Sequence, residues 1–208
     1  MKKTRIKKRL LQATFIVSLL TFFTMAYLLI NNKTALIDNK GYALATWGKN
    51  DNITNVFKFL SSLCSVYFII FVCALSFLFF KNKNISWLIL FNVVLCLLLN
   101  QFCKHLFLRS RPLDINLIVE KGYSFPSGHS MVSLAFYGLF IYIVYKKDLN
   151  KVVKFLVIAM LTILILLIGM SRIYLGVHYT SDVIAGFSLS LAYLIMYIKF
   201  IYVKNVIK

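Results

Sequence analysis

Six stretches without a charged residue dominate the pattern of hydrophobic and polar positions along the chain. They cover residues 10–30, 59–80, 85–103, 130–145, 155–170 and 183–198. An α-helix needs about 17–25 predominantly apolar residues to cross a bilayer. The first three runs have this length, and polar, aromatic or basic neighbours extend the three shorter runs to a full span. The pattern therefore predicts six transmembrane helices, the last of them near residues 183–203.

Composition agrees with this pattern, because 61% of the 208 residues are hydrophobic, which is outside the range of soluble globular proteins. No internal repeat, low-complexity linker or soluble region interrupts the runs. We therefore expect an all-α, polytopic membrane protein, with one membrane-embedded domain over residues 1–208 and its six helices in a bundle.

The first run follows six basic residues within residues 2–9. A cleavable signal peptide is the alternative interpretation, but it would have an apolar region of about 7–15 residues and a small-residue cleavage site. Neither feature is clear here, so we expect an uncleaved transmembrane helix.

Lysine and arginine in the loops predict the orientation, because cytoplasmic loops of membrane proteins carry an excess of them. With a cytoplasmic N-terminus, 15 of the 24 basic residues lie inside, within residues 2–9, 81–83, 146–154 and 199–208. Richness in Lys, Asn and Ile favours a bacterial source. We expect a multi-pass protein of the bacterial plasma membrane with both termini in the cytoplasm.

The net charge of +18 does not predict a nucleic-acid partner, because the charges form short clusters between apolar runs instead of one basic face on a soluble domain. The four cysteines lie inside apolar runs without a metal-binding or CxxC spacing, so we expect buried thiols. Three polar clusters at the predicted outer face carry the remaining chemistry.

The first cluster contains Lys104 and Arg111, followed by Pro112. If the preceding helix continues, a spacing of seven residues places both cations on nearly the same face, where they can bind one anion. Pro112 would then end the helix. The alternative is that both residues anchor the helix at the membrane interface.

The second cluster is Ser127-Gly128-His129, preceded by Pro126 and placed just before the fourth apolar run. Ser127 is suited to cap a helix, and Gly128 allows the backbone to approach a ligand at the positive end of the helix dipole. His129 adds a group that exchanges a proton near neutral pH. A helix start with a bystander histidine is the alternative.

The third cluster contains Arg172, His178 and Asp182. Asp182 follows His178 by four residues, so its carboxylate can accept a hydrogen bond from one ring nitrogen and leave the other free as a nucleophile. Arg172 can bind an oxyanion through two donors. A structural His–Asp pair that caps the sixth helix is the alternative.

If the last four helices bundle, the three clusters together supply three cations, backbone amide donors, two histidines and one carboxylate. This set is suited to binding a phosphate ester or pyrophosphate and transferring its phosphoryl group. We expect no metal site, because three cations would repel a metal ion and no HExxH motif is present.

In order and spacing, the three clusters resemble the three-part signature of the type 2 phosphatidic acid phosphatase family. The motifs cover residues 104–182, and the six-helix pattern extends the similarity to nearly the whole chain. Size and architecture are similar to the bacterial phosphatidylglycerophosphate and undecaprenyl pyrophosphate phosphatases of this family. The resemblance implies a lipid phosphate or pyrophosphate substrate held in the bilayer, and no cofactor.

The resemblance also implies a role for each signature residue. His178 would be the nucleophile that forms a phosphohistidine, Asp182 would orient it, and His129 would protonate the leaving oxygen. The phosphate would be bound by Lys104, Arg111, Ser127, Gly128 and Arg172.

One alternative function stays open at this point. A non-enzymatic transporter or lipid-phosphate binding protein could use the same cations, although no inverted repeat is visible.

His105 and Arg109 lie at non-signature positions of the first cluster and are interpreted as membrane-interface contacts. Residues 31–58 form an outer segment that we interpret as a lid or flank to the site. The sequence does not indicate the oligomeric state.

Overall fold

The computed structural model describes residues 2–113 and 115–203, and within these ranges it contains helices and no strand. Eight helices follow one another: α1 Lys2–Ile30, α2 Ala35–Ala45, α3 Asp51–Ser62, α4 Val66–Phe79, α5 Lys83–Phe107, α6 Gly128–Lys146, α7 Lys151–Tyr174 and α8 Thr180–Val203. The predicted all-α fold is confirmed.

Within the described residues, five helices are individually long and apolar enough to cross a membrane: α1, α5, α6, α7 and α8. Helices α3 and α4 pass the same test only as a pair, with a bend of 46° between them. The predicted count of six transmembrane segments is therefore reached when this bent pair is one span.

The second predicted helix, over residues 59–80, differs most from the structure. The helical region begins earlier, at Asp51, and it is broken between Ser62 and Val66. The Ser65 side chain accepts a hydrogen bond from the Phe68 backbone amide at 3.3 Å and so caps a new helix. A charge-free run of sufficient length does not reveal such a cap, because serine is common inside apolar segments.

Helix α6 lies in the centre of the bundle, between α5, α7 and α8, and α8 packs along α1. Side chains of α1, α5, α6 and α8 share the largest buried apolar cluster. A Cβ at Gly186 of α8 would lie 2.8 Å from the Ser127 carbonyl oxygen, so the glycine allows α8 to contact the turn before α6. The packing thus joins the second and third polar clusters.

Two buried asparagines of α5 connect this helix to α6 and to the turn before it. Asn92 donates to the Ala135 carbonyl oxygen at 2.7 Å, and Asn100 donates to the Pro126 carbonyl oxygen at 3.0 Å. A polar group inside a membrane bundle must find such a partner, because lipid offers none. These bonds fix the end of α5 relative to the second polar cluster.

Residues 31–58, predicted to form an outer segment, fold as α2 and most of α3, and α2 lies against α7 and α8. A Cβ at Gly41 would lie 2.1 Å from Thr180 Oγ1, so α2 closely approaches the first residue of α8. Asp38 of α2 is buried there. The segment therefore forms a packed flank of the bundle end that carries the three polar clusters.

Candidate active site

A cavity of about 650 Å³ opens where these polar clusters meet. Four of the predicted site side chains line it: Lys104, Arg111, His129 and His178, together with the backbone of Gly128. The cavity continues between α4 and α5, where its walls are apolar. The cavity thus has a cationic end that contains two histidines and an apolar arm between α4 and α5.

The His178 ring is buried and makes contacts through both of its nitrogens. Nε2 lies 3.0 Å from an Arg111 guanidinium nitrogen, and Nδ1 lies 3.2 Å from Ser124 Oγ and 3.5 Å from Asp182 Oδ2. A guanidinium only donates, so Nε2 must be the accepting nitrogen and the ring proton is on Nδ1. The arrangement presents an Nε2 lone pair to the cavity beside a cation.

Asp182 has no exposed surface, and its Oδ2 accepts hydrogen bonds from Ser124 Oγ at 2.6 Å and from the Tyr179 amide at 2.9 Å. Because Ser124 uses its hydroxyl proton on Asp182, its oxygen is left to accept from His178 Nδ1. The predicted pairing of His178 with Asp182 is thus present and includes a bridging serine. Sequence reasoning missed Ser124, since a loop serine has no distinctive spacing.

Burial lowers the pKa of His178 to about 4, and Arg111 acts in the same direction while Asp182 opposes it. The imidazole is therefore neutral at physiological pH. A neutral ring is the form in which Nε2 can act as a nucleophile.

The Arg111 guanidinium is fixed in direction by backbone carbonyl groups. It donates to Gly122 O at 2.9 Å, to Val177 O at 2.9 Å and to Lys121 O at 3.2 Å. These bonds hold one terminal guanidinium nitrogen beside His178 Nε2. A planar fork held in this way is suited to bind two oxygens of one anion.

The predicted reason for the convergence of Lys104 and Arg111 is wrong. Helix α5 ends at Phe107, and Leu108 has a left-handed backbone conformation with a φ of 50°, so Arg111 is not on a helical continuation. Both side chains nevertheless line the cavity, because the chain turns back after Leu108. Pro112 therefore does not end this helix.

The second cluster forms the N-terminus of α6, as its sequence predicts. Ser127 is the N-cap, and its Oγ accepts from the Ser130 hydroxyl at 3.0 Å and from the Ser130 amide at 3.4 Å. Ser127 is fully buried, while Gly128 and His129 line the cavity. A Cβ at Gly128 would lie 3.0 Å from Asn100 Oδ1, so close packing also favours glycine here.

Arg172 lies beside the cavity instead of on its wall. Its side chain is buried and donates to Ser61 Oγ and to Glu120 Oε1, and its Nε has no hydrogen-bond partner among the described residues. Glu120 itself lines the cavity. Burial raises the pKa of Glu120, but Arg172 and Arg111 outweigh it and hold this pKa below the usual value. A carboxylate therefore lies between Arg172 and the cavity.

The interpretation of Arg109 as a membrane-interface contact is wrong. Its side chain is 11% exposed and pairs with Asp38 and Asp182. His105, in contrast, is exposed and contacts Gln101 O and the Tyr123 ring. The local sequence did not distinguish these two residues, because both follow Lys104 at non-signature positions.

These observations define an all-helical, multi-pass membrane protein with a cation-rich site built around a buried histidine–aspartate pair. The chain belongs to the PAP2 superfamily, whose family model matches residues 85–205. This range includes all three polar clusters, and the resemblance noted from their spacing is confirmed.

Several known proteins are similar to this chain. Over 96 residues it is 42% identical to phosphatidylglycerophosphatase B of Bacillus subtilis (strain 168), an alignment that covers 45% of this chain and 47% of that protein. The chain therefore aligns with about half the length of this curated relative.

Two solved structures share the fold. A crystal structure described as the first transmembrane PAP2 type phosphatidylglycerolphosphate phosphatase from Bacillus subtilis matches with a TM-score of 0.80 and 28% identity. That match covers 90% of this chain and 95% of that one. Aquifex aeolicus LpxE matches with a TM-score of 0.63 and 24% identity, over 78% of this chain and 95% of that chain, which is a likeness of fold.

Proposed function

We propose that this protein is a membrane phosphatase that removes phosphate from a lipid phosphate monoester or pyrophosphate through a phosphohistidine on His178. The observation that carries the proposal is the neutral His178 ring, whose Nε2 accepts from Arg111 at 3.0 Å inside the cavity. Family membership and similarity to phosphatidylglycerophosphatase B support the reaction class and make phosphatidylglycerophosphate the first substrate to test.

In the first step, the substrate phosphate takes the place of Nε2 at the Arg111 donor, and Lys104 and the Gly128 amide bind its other oxygens. The Nε2 lone pair attacks phosphorus, and the bond from phosphorus to the lipid oxygen breaks. His129, protonated while the anionic phosphate lies beside it, gives its proton to the leaving oxygen. The cations stabilise the charge on the equatorial oxygens in the transition state.

In the second step, His129 accepts a proton from a water molecule as the water oxygen attacks phosphorus. The bond between phosphorus and Nε2 breaks, and inorganic phosphate leaves with His178 again neutral. Asp182, which lies 3.5 Å from Nδ1 and is bridged to it by Ser124, stabilises the positive charge that the ring carries in the intermediate.

The apolar arm of the cavity supports a lipid as the substrate. Side chains of α4 and α5 form its walls: Ile69, Ile70, Phe77, Leu90, Val93, Val94 and Leu97. A hydrocarbon chain placed there would keep apolar contacts while its phosphate reaches the cationic end. Such walls make no directional contacts, so one cavity can accept acyl and prenyl chains.

Both termini are proposed to be cytoplasmic, with the site at the outer face of the bacterial plasma membrane. Basic residues are in excess in the loops on the side of the bundle that carries the N-terminus, which supports this orientation. Two of the basic residues counted there, Lys204 and Lys208, lie outside the described residues. We treat residues 1–208 as a single phosphatase domain.

The proposal is tested by phosphate release from the purified protein in detergent and EDTA. The substrates are phosphatidylglycerophosphate, phosphatidic acid, undecaprenyl mono- and pyrophosphate, and glycerol 3-phosphate as a control without a lipid chain. We expect release from at least one lipid, at a kcat/KM at least about 10²-fold above that of glycerol 3-phosphate, because binding of the chain positions the phosphate. Saturable binding of these lipids without release would favour the transporter or binding-protein alternative.

The pH dependence follows from the lowered pKa of His178. Protonation removes the nucleophilic lone pair, so activity is lost as the pH falls through about 4, instead of through the 6.5 of a free imidazole. The acid limb of the pH profile of kcat/KM should therefore lie near pH 4. The profile is first corrected for the ionisation of the substrate phosphate, which is measured by ³¹P NMR. A corrected limb at pH 6–7 would contradict a neutral, buried nucleophile.

A further inference from the structure

Arg109 is a largely buried cation beside the site, with 11% of its side chain exposed, and the proposed chemistry does not use it. Its guanidinium lies between two carboxylates: one terminal nitrogen donates to Asp182 Oδ1 at 2.5 Å, and the other donates to Asp38 Oδ2 at 2.7 Å. The Tyr179 ring stacks on the guanidinium carbon at 4.0 Å. Because the guanidinium is rigid and planar, its contact with Asp38 also fixes the position of the nitrogen that donates to Asp182.

Asp38 is itself tied to the beginning of α8. Its Oδ1 accepts from the Ser181 amide at 2.9 Å and from the Ser181 hydroxyl at 2.7 Å, and the same hydroxyl oxygen accepts from Arg109 at 2.7 Å. Thr34 adds a hydroxyl acceptor for Arg109 at 3.1 Å. Helix α2 therefore reaches the residue that precedes Asp182 through a closed set of hydrogen bonds.

This network determines the direction of the Asp182 carboxylate. Arg109 binds Oδ1, so only Oδ2 is left to face Ser124 and the His178 Nδ1 proton. Without the guanidinium, Asp38 and Asp182 would be two buried like charges close to one another, which is strongly unfavourable.

We propose that Asp38 and Arg109 act as one positioning pair, which holds Asp182 so that His178 keeps its proton on Nδ1 and its lone pair on Nε2. The inference rests on the proposed function and assigns the segment before α3 a part in the reaction. Neither residue touches the substrate; both act through Asp182.

The kinetic test uses Asp38→Asn, which preserves side-chain shape but turns one acceptor oxygen into a donor. Outer partners of this kind change activity by about 10–100-fold, and we expect kcat to fall by that factor. KM and the inhibition constant of inorganic phosphate should stay within about twofold, because Lys104 and Arg111 are untouched. Arg109→Lys, which keeps the charge but loses the fork, should behave similarly.

A double variant tests whether the two residues form one unit. If they do, Asp38→Asn with Arg109→Lys should lower kcat about as much as the more severe single variant, instead of by the product of the two factors. Asp51→Asn, an exposed aspartate of α3, is the matched control and should keep wild-type kcat.

The second readout does not depend on turnover. In ¹⁵N-histidine NMR of the full chain in detergent, the His178 signal, assigned with His178→Ala, should show the Nδ1-protonated tautomer in the wild type. It should shift toward a mixture of tautomers in Asp38→Asn. Ser181→Ala, which removes only the bridging hydroxyl, should show a smaller shift and provides a milder variant if Asp38→Asn does not fold.

Wild-type kcat and an unchanged tautomer in the folded Asp38→Asn or Ser181→Ala variant would overturn the positioning pair. A loss of activity that tracks only the loss of folded protein would overturn it too. A wild type that releases phosphate from no lipid would refute the proposed function instead, and the NMR result would still decide the inference.

Discussion

His178→Ala should lower kcat for phosphate release by about 10⁴–10⁶-fold, because it removes the atom that forms the covalent bond to phosphorus. Alanine leaves the cations in place, so lipid binding should persist. In the wild type, rapid acid-free quenching with ³²P-labelled substrate should trap a base-stable phosphoprotein, and the variant should yield none. Turnover and labelling are the two measurements.

His105→Ala is the matched control, because His105 is an exposed histidine on α5 whose ring contacts Gln101 O. This variant should keep activity within about twofold of the wild type, as expected for a surface substitution. A His178→Ala protein that still turned over at a substantial fraction of the wild-type rate would exclude His178 as the nucleophile.

Arg111→Ala should lower kcat/KM by about 10²–10³-fold, the usual cost of removing one fixed donor from a developing oxyanion. Arg111 approaches both the His178 Nε2 atom and the cavity, so its loss removes charge from the position where the phosphate would bind. Arg111→Lys should recover only part of the activity, because an ammonium group does not bind two oxygens in a planar fork. We expect vanadate to inhibit the enzyme as a mimic of the pentacoordinate transition state, and this inhibition should weaken in parallel.

Arg9→Ala, on the exposed N-terminal part of α1, is the control for general loss of positive charge. Unchanged vanadate affinity in Arg111→Ala would show that the phosphate binds elsewhere in the cavity. Partial recovery of Arg111→Ala by added guanidinium would support the assigned position.

Much of the site was predictable because its parts are local in the sequence. His178 and Asp182 are four residues apart at a helix start, and Ser127 directly precedes a helix, so spacing alone indicates the pair and the cap. The roles of these residues in catalysis stay predictions. Groups of residues that lie close together in the sequence can be recognised before the tertiary structure is known.

Other parts of the site depend on distant segments. Arg109 donates a hydrogen bond to Asp38, which is 71 positions away in the sequence, and Arg172 donates one to Glu120, which is 52 positions away. No periodicity records such a pairing, because it depends on where the loop between α5 and α6 packs against α2 and α7. The interpretation of Arg109 as an interface residue was wrong for this reason.

The sequence by itself determined the all-helical membrane fold, since runs of apolar residues must bury their backbone polar groups in helices when lipid surrounds them. It also determined which residue types could act together. The tertiary structure decided the break between α3 and α4, the turn that brings Arg111 to His178, and the contact of α2 with the first turn of α8. Capping, loop direction and buried ion pairs set these features, and their energies arise only when separate segments meet.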